Sequence, residues 1–259
     1  MVTCKNCANV FTGKYCNQCG QSANVKRFSF GYFLKESFFS SLDIENGFFT
    51  TLWVLLVRPG RAIREYLEGR RVSLYVPAKF LVLFGAIATF LAVRYQLFTQ
   101  GEYSASLPGL SAYLQSFFNY AEENTTVINL ISIPAFALST FLVFRRKGYN
   151  YTEHLILNIY ITAMQLVMLI LFFPLLEFAP SLHREIILCY TAITILYNAW
   201  AYIRFFEIRK PKQLLQLLLV LLLAYLGQFV LNLVLYSLMV KIGVLHPDAF
   251  VSPDIKLHF

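Results

Sequence analysis

RPGRAIREYLEGRRVSLYVPAK, residues 58–79, divides the chain into two parts of different chemistry. It holds six cations (Arg58, Arg61, Arg64, Arg70, Arg71, Lys79) against two acids, Glu65 and Glu68. A small cysteine-bearing head precedes it, and a series of long apolar runs follows. Cations packed beside apolar runs mark where a chain meets a membrane and from which face. The remainder of the sequence can be read outward from this junction.

Of 259 residues, 58% are hydrophobic, 17% aromatic and 14% charged. A soluble domain carries about a quarter charged residues, so the apolar excess is too large for one soluble core. The net charge of +8 does not indicate nucleic acid, because the basic residues lie between apolar runs and not over a polar domain. The N-terminus is polar and lacks the early apolar core of a secretory signal.

Downstream, five apolar segments near the length of a crossing are expected at 80–98, 125–144, 155–178, 185–206 and 214–240. Lys and Arg are divided unevenly among the connections. Residues 1–79 carry eleven, 145–154 three and 204–213 four, against none in 99–124, one in 177–184 and two after 240. That bias puts the N-terminus in the cytoplasm and the C-terminus outside, and five crossings agree with opposite ends. Gln165, Asn198 and Gln228 are expected near mid-depth, as hydrogen bonds between helices or as the lining of a polar pocket. His154 is expected in a cytoplasmic loop, and Cys189 as a small hydrophobe in an apolar run.

In the head, Cys4-x-x-Cys7 and Cys16-x-x-Cys19 are separated by eight residues. Two residues between cysteines let one tight turn aim both sulfurs at a common point, and two such turns close a tetrahedral site. The expected ligand set is Cys4, Cys7, Cys16 and Cys19, and the expected ion is structural zinc. The intervening VFTGKY fits a hairpin turning at Gly13, with Phe11 and Tyr15 able to cover the site. Gly20 follows the second pair, where Ala8 follows the first. A redox dithiol comes as a single pair opening a helix, and disulfides need an oxidising compartment. About twenty residues bury little, so metal would supply most of the folding energy of such a head.

Between head and junction, Phe30, Phe33, Leu34, Phe38 and Leu42 recur at helical spacing, an amphipathic helix. FFTTLWVLLV, residues 48–57, is a helix of about 15 Å, too short to cross, which should lie in the interface or dip in and return. Pro59-Gly60 ends it, and a short in-plane helix from Arg61 to about Arg70 is expected to present Ile63, Tyr66 and Leu67 as anchors. Arg58, Arg61, Arg70 and Arg71 are the residues expected to contact anionic lipid headgroups.

The fold class is therefore an all-α membrane protein. A five-helix transmembrane bundle (80–240) follows a zinc-ribbon-like knuckle (1–27) and an amphipathic, interfacial lead-in (28–79), with an external tail at 241–259.

The chain resembles an uncharacterised bacterial integral-membrane family catalogued as a domain of unknown function. The residues that carry the resemblance are Tyr15-Cys16-Asn17-Gln18-Cys19-Gly20-Gln21, Asn46-Gly47-Phe48, Leu55-Leu56-Val57-Arg58-Pro59-Gly60 and Glu65-Tyr66-Leu67-Glu68-Gly69-Arg70-Arg71, followed by Pro77. They cover about the first ninety residues. More loosely, a cytoplasmic N-terminus ahead of five crossings is similar to the Yip family of membrane-trafficking proteins. Neither resemblance implies a reaction.

Three functions follow from these features. A membrane scaffold or adaptor would use the knuckle to hold a protein partner at the cytoplasmic face and the bundle as an anchor among membrane lipids. A small-molecule or lipid transporter or channel would use the amides. An interfacial lipid-modifying enzyme would use the arginines with Glu65 and Glu68, but no paired nucleophile and base is present at a recognisable spacing. No catalytic residue is assigned and no nucleic acid is expected as a partner. The expected location is the bacterial cytoplasmic membrane.

Overall fold

A computed structural model describes residues 1–39, 47–94 and 112–245. Leu42 of the expected amphipathic helix and Asn46 of the motif shared with the family lie outside the described residues. So do the expected end of the first crossing at Phe98, residues 99–111, and most of the tail.

The chain opens with two short strands, β1 (Val2–Thr3) and β2 (Val10–Phe11), paired antiparallel. Among the described residues the longer elements that follow are helices: α1 (Phe30–Phe39), α2 (Phe48–Val57), α3 (Pro59–Glu68), α4 (Pro77–Arg94), α5 (Ala112–Glu123), α6 (Thr125–Phe144), α7 (Tyr151–Phe178), α8 (His183–Phe206) and α9 (Pro211–Lys241). Most of the bundle helices begin before their apolar runs, because proline at the first position (α9) or a polar cap (Asn150 before α7) starts the helix in the polar flank.

Helix α7 is the axis of the bundle. In its most apolar stretch 61% of residues are buried, against 22% for α9, which leaves long rows of leucine exposed. Helices α4, α6 and α8 surround α7, and α9 packs on α6 and α8. Interhelical bonds fix the directions. Tyr202 on α8 donates to Asn158 on α7 at 2.6 Å and Gln165 donates to Asn198 at 2.9 Å, so the two helices run antiparallel. The Tyr225 ring against Phe136 (5.4 Å) and Asn232 bonded to Ser132 (3.0 Å) set α9 antiparallel to α6. Phe80 and Gly85 of α4 lie beside Tyr160 and Leu166 of α7, so that pair is parallel.

Among the described residues, α6, α7, α8 and α9 are long and apolar enough to cross a membrane, which fits an integral membrane protein. Helix α4, expected as the first of five crossings, has 18 residues and rises about 27 Å, just short of a hydrocarbon core of about 30 Å. Helix α5 stands where a plain connection was expected. Its Ser116 shares a buried hydrogen bond of 2.6 Å with Tyr236 of α9, and Phe117 packs on Phe229.

The lead-in departs further from its reading. Helix α3 starts at Pro59, directly after α2, and its apolar face turns into the protein. Ile63, Tyr66 and Leu67 are buried in the same core as α7 and α8, so these expected membrane anchors are internal. Gly60 explains the approach: a Cβ there would stand 2.3 Å from the backbone nitrogen of Phe205, so only glycine lets α3 rest directly on the backbone of α8. Helix α2 is half-embedded, with Thr51 and Leu55 buried and Phe49 and Trp53 exposed. Tyr197 of α8 donates to the Leu55 carbonyl at 2.9 Å, and Thr51 Oγ1 accepts from the Tyr75 amide at 2.7 Å. Together α2, α3 and residues 69–76 form a collar around one end of the bundle, called the head end below.

Candidate metal centre and arginine collar

Each Cys-x-x-Cys pair sits in a knuckle of its own. The Cys4 amide donates to the Asn9 carbonyl (2.8 Å) and the Ala8 amide to the Cys4 carbonyl (2.9 Å). The second knuckle repeats the pattern, Cys16 to Gln21 (2.8 Å) and Gly20 to Cys16 (2.9 Å). The flanks of the first knuckle pair as β1 and β2, and those of the second as the Tyr15–Ser22 bridge. The hairpins therefore enclose the cysteine pairs, and VFTGKY is the link between them instead of the hairpin expected. Gly20 has φ +74° and Ala8 φ +61°, so both knuckles need the left-handed conformation that glycine adopts more easily. Phe11 is buried beneath the sulfurs; Tyr15, expected as a second cover, is exposed.

The four cysteines are free thiols whose sulfurs all lie within 4.8 Å of one another. Cys4–Cys19 are 3.5 Å apart and Cys7–Cys16 3.6 Å. Four sulfurs about 2.3 Å from a tetrahedral ion would be about 3.8 Å apart, so the set fits a single ion with little movement. Their protonation points the same way. Desolvation raises Cys16, but the amides of Cys19 and Gln18 aimed at its sulfur bring it down to about 6. At Cys7 the Asn9 amide pulls downward, yet desolvation and the three neighbouring sulfurs push it up to about 12. One thiolate forms readily and the next is resisted, which is the electrostatics of a site that needs a cation to ionise fully. With four protein ligands the shell is closed, leaving no position for a reacting water.

The knuckle is mounted on the collar. Val72 donates its amide to Gln21 Oε1 (3.3 Å), and Ser73 bonds to Asn6 (3.4 Å). Arg27 grips Glu153 with two bonds of 2.8 and 2.6 Å and also donates to the Gly148 carbonyl (2.6 Å). Glu153 in turn closes a capping box with Asn150 at the start of α7. Asn150 reaches back to the Phe28 carbonyl at 2.8 Å. The sequence signal for this anchor was Asn150-x-x-Glu153 ahead of an apolar run, and it was missed. His154, expected in a loop, lies inside α7, fully buried, with Nδ1 3.1 Å from Thr140 Oγ1.

The arginines separate into two groups. Arg71 is internal, its side chain 7% exposed. Its guanidinium lies 3.7 Å over the Phe28 ring, donates to the Lys26 carbonyl (2.7 Å) and Tyr32 hydroxyl (3.0 Å), and pairs with Glu36 at 3.5 Å. Desolvation pushes the Glu36 carboxyl up, against the pull of Arg71. Arg71 thus fastens the collar to the segment after the knuckle, and its burial removes it from the expected lipid-contact set. Arg70 is exposed and 3.7 Å from Glu65. Arg58 and Arg61 come together with Arg64 and, from the end of α8, Arg204, around a pocket of about 250 Å³ completed by Val57 and Trp200. The three-residue spacing of Arg58, Arg61 and Arg64 was readable; Arg204 and Trp200 are too distant in sequence to have been linked to them.

The bundle amides do not converge. Gln165 and Asn198 bond to each other, and Asn198 donates to the Tyr225 hydroxyl (3.2 Å), which ties α7, α8 and α9 together. Gln228 belongs to a separate group with Asn129 between α6 and α9. All three act between helices.

Residues 45–89 match a family described as a protein of unknown function (DUF3667). The match covers α2, α3 and α4 as far as Thr89, the collar and not the cysteine knuckle. No curated protein and no solved structure matches the chain.

Proposed function

We propose that the protein is a membrane scaffold that carries a zinc knuckle on the cytoplasmic face and uses it to hold a protein partner. One observation carries this reading: a closed four-sulfur site is fixed in orientation on the bundle by Arg27–Glu153 and Gln21–Val72. A closed shell supports structure and not turnover, and the mounting makes the knuckle a rigid platform. Its outer surface carries exposed Val2, Val10 and Tyr15, apolar groups suited to the centre of a small interface.

Zinc is the ion favoured by four thiolates in tetrahedral reach. The cytoplasmic placement of the knuckle rests on the Lys/Arg bias, and a bacterial cytoplasmic membrane on the resemblance of the collar and cysteine motifs. In this reading α4, parallel to α7, completes a fifth crossing, which leaves the C-terminus outside and gives the five-span arrangement similar to the Yip family. Reduced cytoplasmic thiols suit an ion clip.

Native mass spectrometry of protein extracted gently from its own membrane tests this. The wild type should carry one zinc and a partner, and Cys16→Ser/Cys19→Ser should lose both while the bundle stays folded. A double variant that keeps every associated protein would refute the scaffold role of the knuckle.

A further inference from the structure

At the head end, the turn between α2 and α3, the first turns of α3 and the last turn of α8 line a pocket of about 250 Å³ with four arginines, Arg58, Arg61, Arg64 and Arg204. Among the described residues two acids pair with them. Glu65 pairs with Arg61 at 2.9 Å, and Glu207 pairs with Arg64, which holds the Glu207 carboxyl below its usual range. Arg58 and Arg204 make no ion pair among the described residues. The start of α3, which no side chain caps, adds the positive end of a helix. Like charges gathered this closely repel, and Gly60 brings them closer by seating α3 against Ala201, Arg204 and Phe205. The arrangement is built for an anion, and guanidinium forks match the paired oxygens of phosphate.

Depth and size narrow the ligand. Trp200 and Arg204 are one turn apart at the end of a helix long enough to cross, the level at which a bilayer presents its phosphates. One turn deeper on α8, Leu196 is 68% exposed, and Trp53 and Leu56 of α2 are exposed near the pocket's own Val57. A volume below that of pockets that enclose whole small molecules suits a headgroup whose chains stay outside. We propose that this pocket binds a phosphate group, and that an anionic phospholipid presents it. The inference rests on the membrane placement of α8 and deepens the scaffold reading by giving the anchor a specific lipid.

The two tryptophans of the chain, Trp53 and Trp200, supply the probe. The full chain carrying Trp53→Phe is placed in phosphatidylcholine nanodiscs doped with brominated phosphatidylglycerol or, at the same fraction, brominated phosphatidylcholine. Trp200 quenching should favour the anionic lipid about twenty-five-fold. Arg58→Gln/Arg204→Gln should bring the two lipids to parity, a loss of roughly fivefold for each arginine. Quenching by brominated phosphatidylcholine that survives in the double variant shows that it still folds and inserts. In undoped discs, inorganic phosphate is the second arm. If it shifts Trp200 emission through Arg58 and Arg204 while the lipids quench equally, the phosphate group stands and its source is soluble. Equal quenching with no response to phosphate overturns the pocket alone. No quenching by either lipid overturns the membrane placement of α8 and this inference with it.

Discussion

The knuckle and the collar touch each other at the head end, yet they are held in opposite ways. The knuckle buries only Cys4, Phe11 and Cys16 as its own core, and its four sulfurs do the rest. Among the described residues the collar has no such cluster of metal-ligating groups. Its Leu55, Ile63, Tyr66, Leu74 and Tyr75 belong to one continuous core with α7 and α8. Tyr66 meets Phe28 on one side (5.6 Å) and Tyr160 on the other (5.6 Å), and Tyr160 donates to the Tyr75 carbonyl at 2.6 Å. A small unit without a hydrophobic core depends on its ion, whereas one that shares a core with a bundle depends on fit.

The largest expected effect separates the two regions outright. A strong thiol-compatible chelator, or Cys16→Ser, should unfold residues 1–25 while α3 and α7 keep their amide protection. Hydrogen exchange read by mass spectrometry would show fast exchange confined to the knuckle. If α3 exchanged in step with it, the collar would depend on the metal after all, and the contrast between the two regions would fail. Gly60→Ala attacks the other side. A Cβ 2.3 Å from the Phe205 nitrogen must push α3 off α8, at a cost of about 3 kcal/mol, the upper range of overpacking. Thermal unfolding in detergent should fall by several degrees with zinc content unchanged.

Arg71 joins the regions, and its replacement sharpens the comparison. Arg71→Met removes bonds to Lys26 and Tyr32 and leaves Glu36 half-buried without its cation. A loss of about 2 kcal/mol is expected, less than for a fully buried pair because Glu36 retains some water. Glu36→Gln in the same chain should recover part of it, and a double-mutant cycle measures how much. No recovery would mean that the bonds to Lys26 and Tyr32, and not the ion pair, carry the role of Arg71.

What the sequence disclosed follows the same division. The four-cysteine cluster was legible because its chemistry is local: Cys-x-x-Cys spacing alone fixes two sulfurs, and repetition fixes four. The long helices were legible because apolar length needs no partner, and all four expected segments from 125 onward lie within helices. The collar was not, because its meaning depends on distant residues. Ile63, Tyr66 and Leu67 form the same stripe whether a helix faces lipid or protein, and only the backbone of α8 decides. Arg71 and Arg70 are neighbours of one type, yet one is internal and the other exposed, because Phe28, Tyr32 and Glu36 receive only Arg71. Hydropathy likewise ranks α7 and α9 together, although α7 is the axis and α9 the rim. Polar residues at the head end of α7, Glu153, His154 and Asn158, distinguish them, since buried polar groups must find partners on several sides.

The smallest effect tests the seam itself. Gln21 is buried although it lies in the knuckle, and its Oε1 accepts from the Val72 amide of the collar at 3.3 Å. Its own carbonyl meanwhile receives the Cys16 amide inside the knuckle. The backbone bond survives replacement by alanine and the side-chain bond does not, so Gln21→Ala cuts the seam without touching the metal site. The expected cost is about 1 kcal/mol, the worth of one partly buried hydrogen bond. Exchange at Val72 should quicken about fivefold, with zinc retention and the exchange of Cys16 unchanged. Loss of zinc in this variant would show that the knuckle borrows stability from the collar, making them one unit instead of two joined at a seam. Unchanged exchange at Val72 would instead assign the mounting to Arg27 and Glu153, which tie the knuckle to the start of α7 and not to the collar.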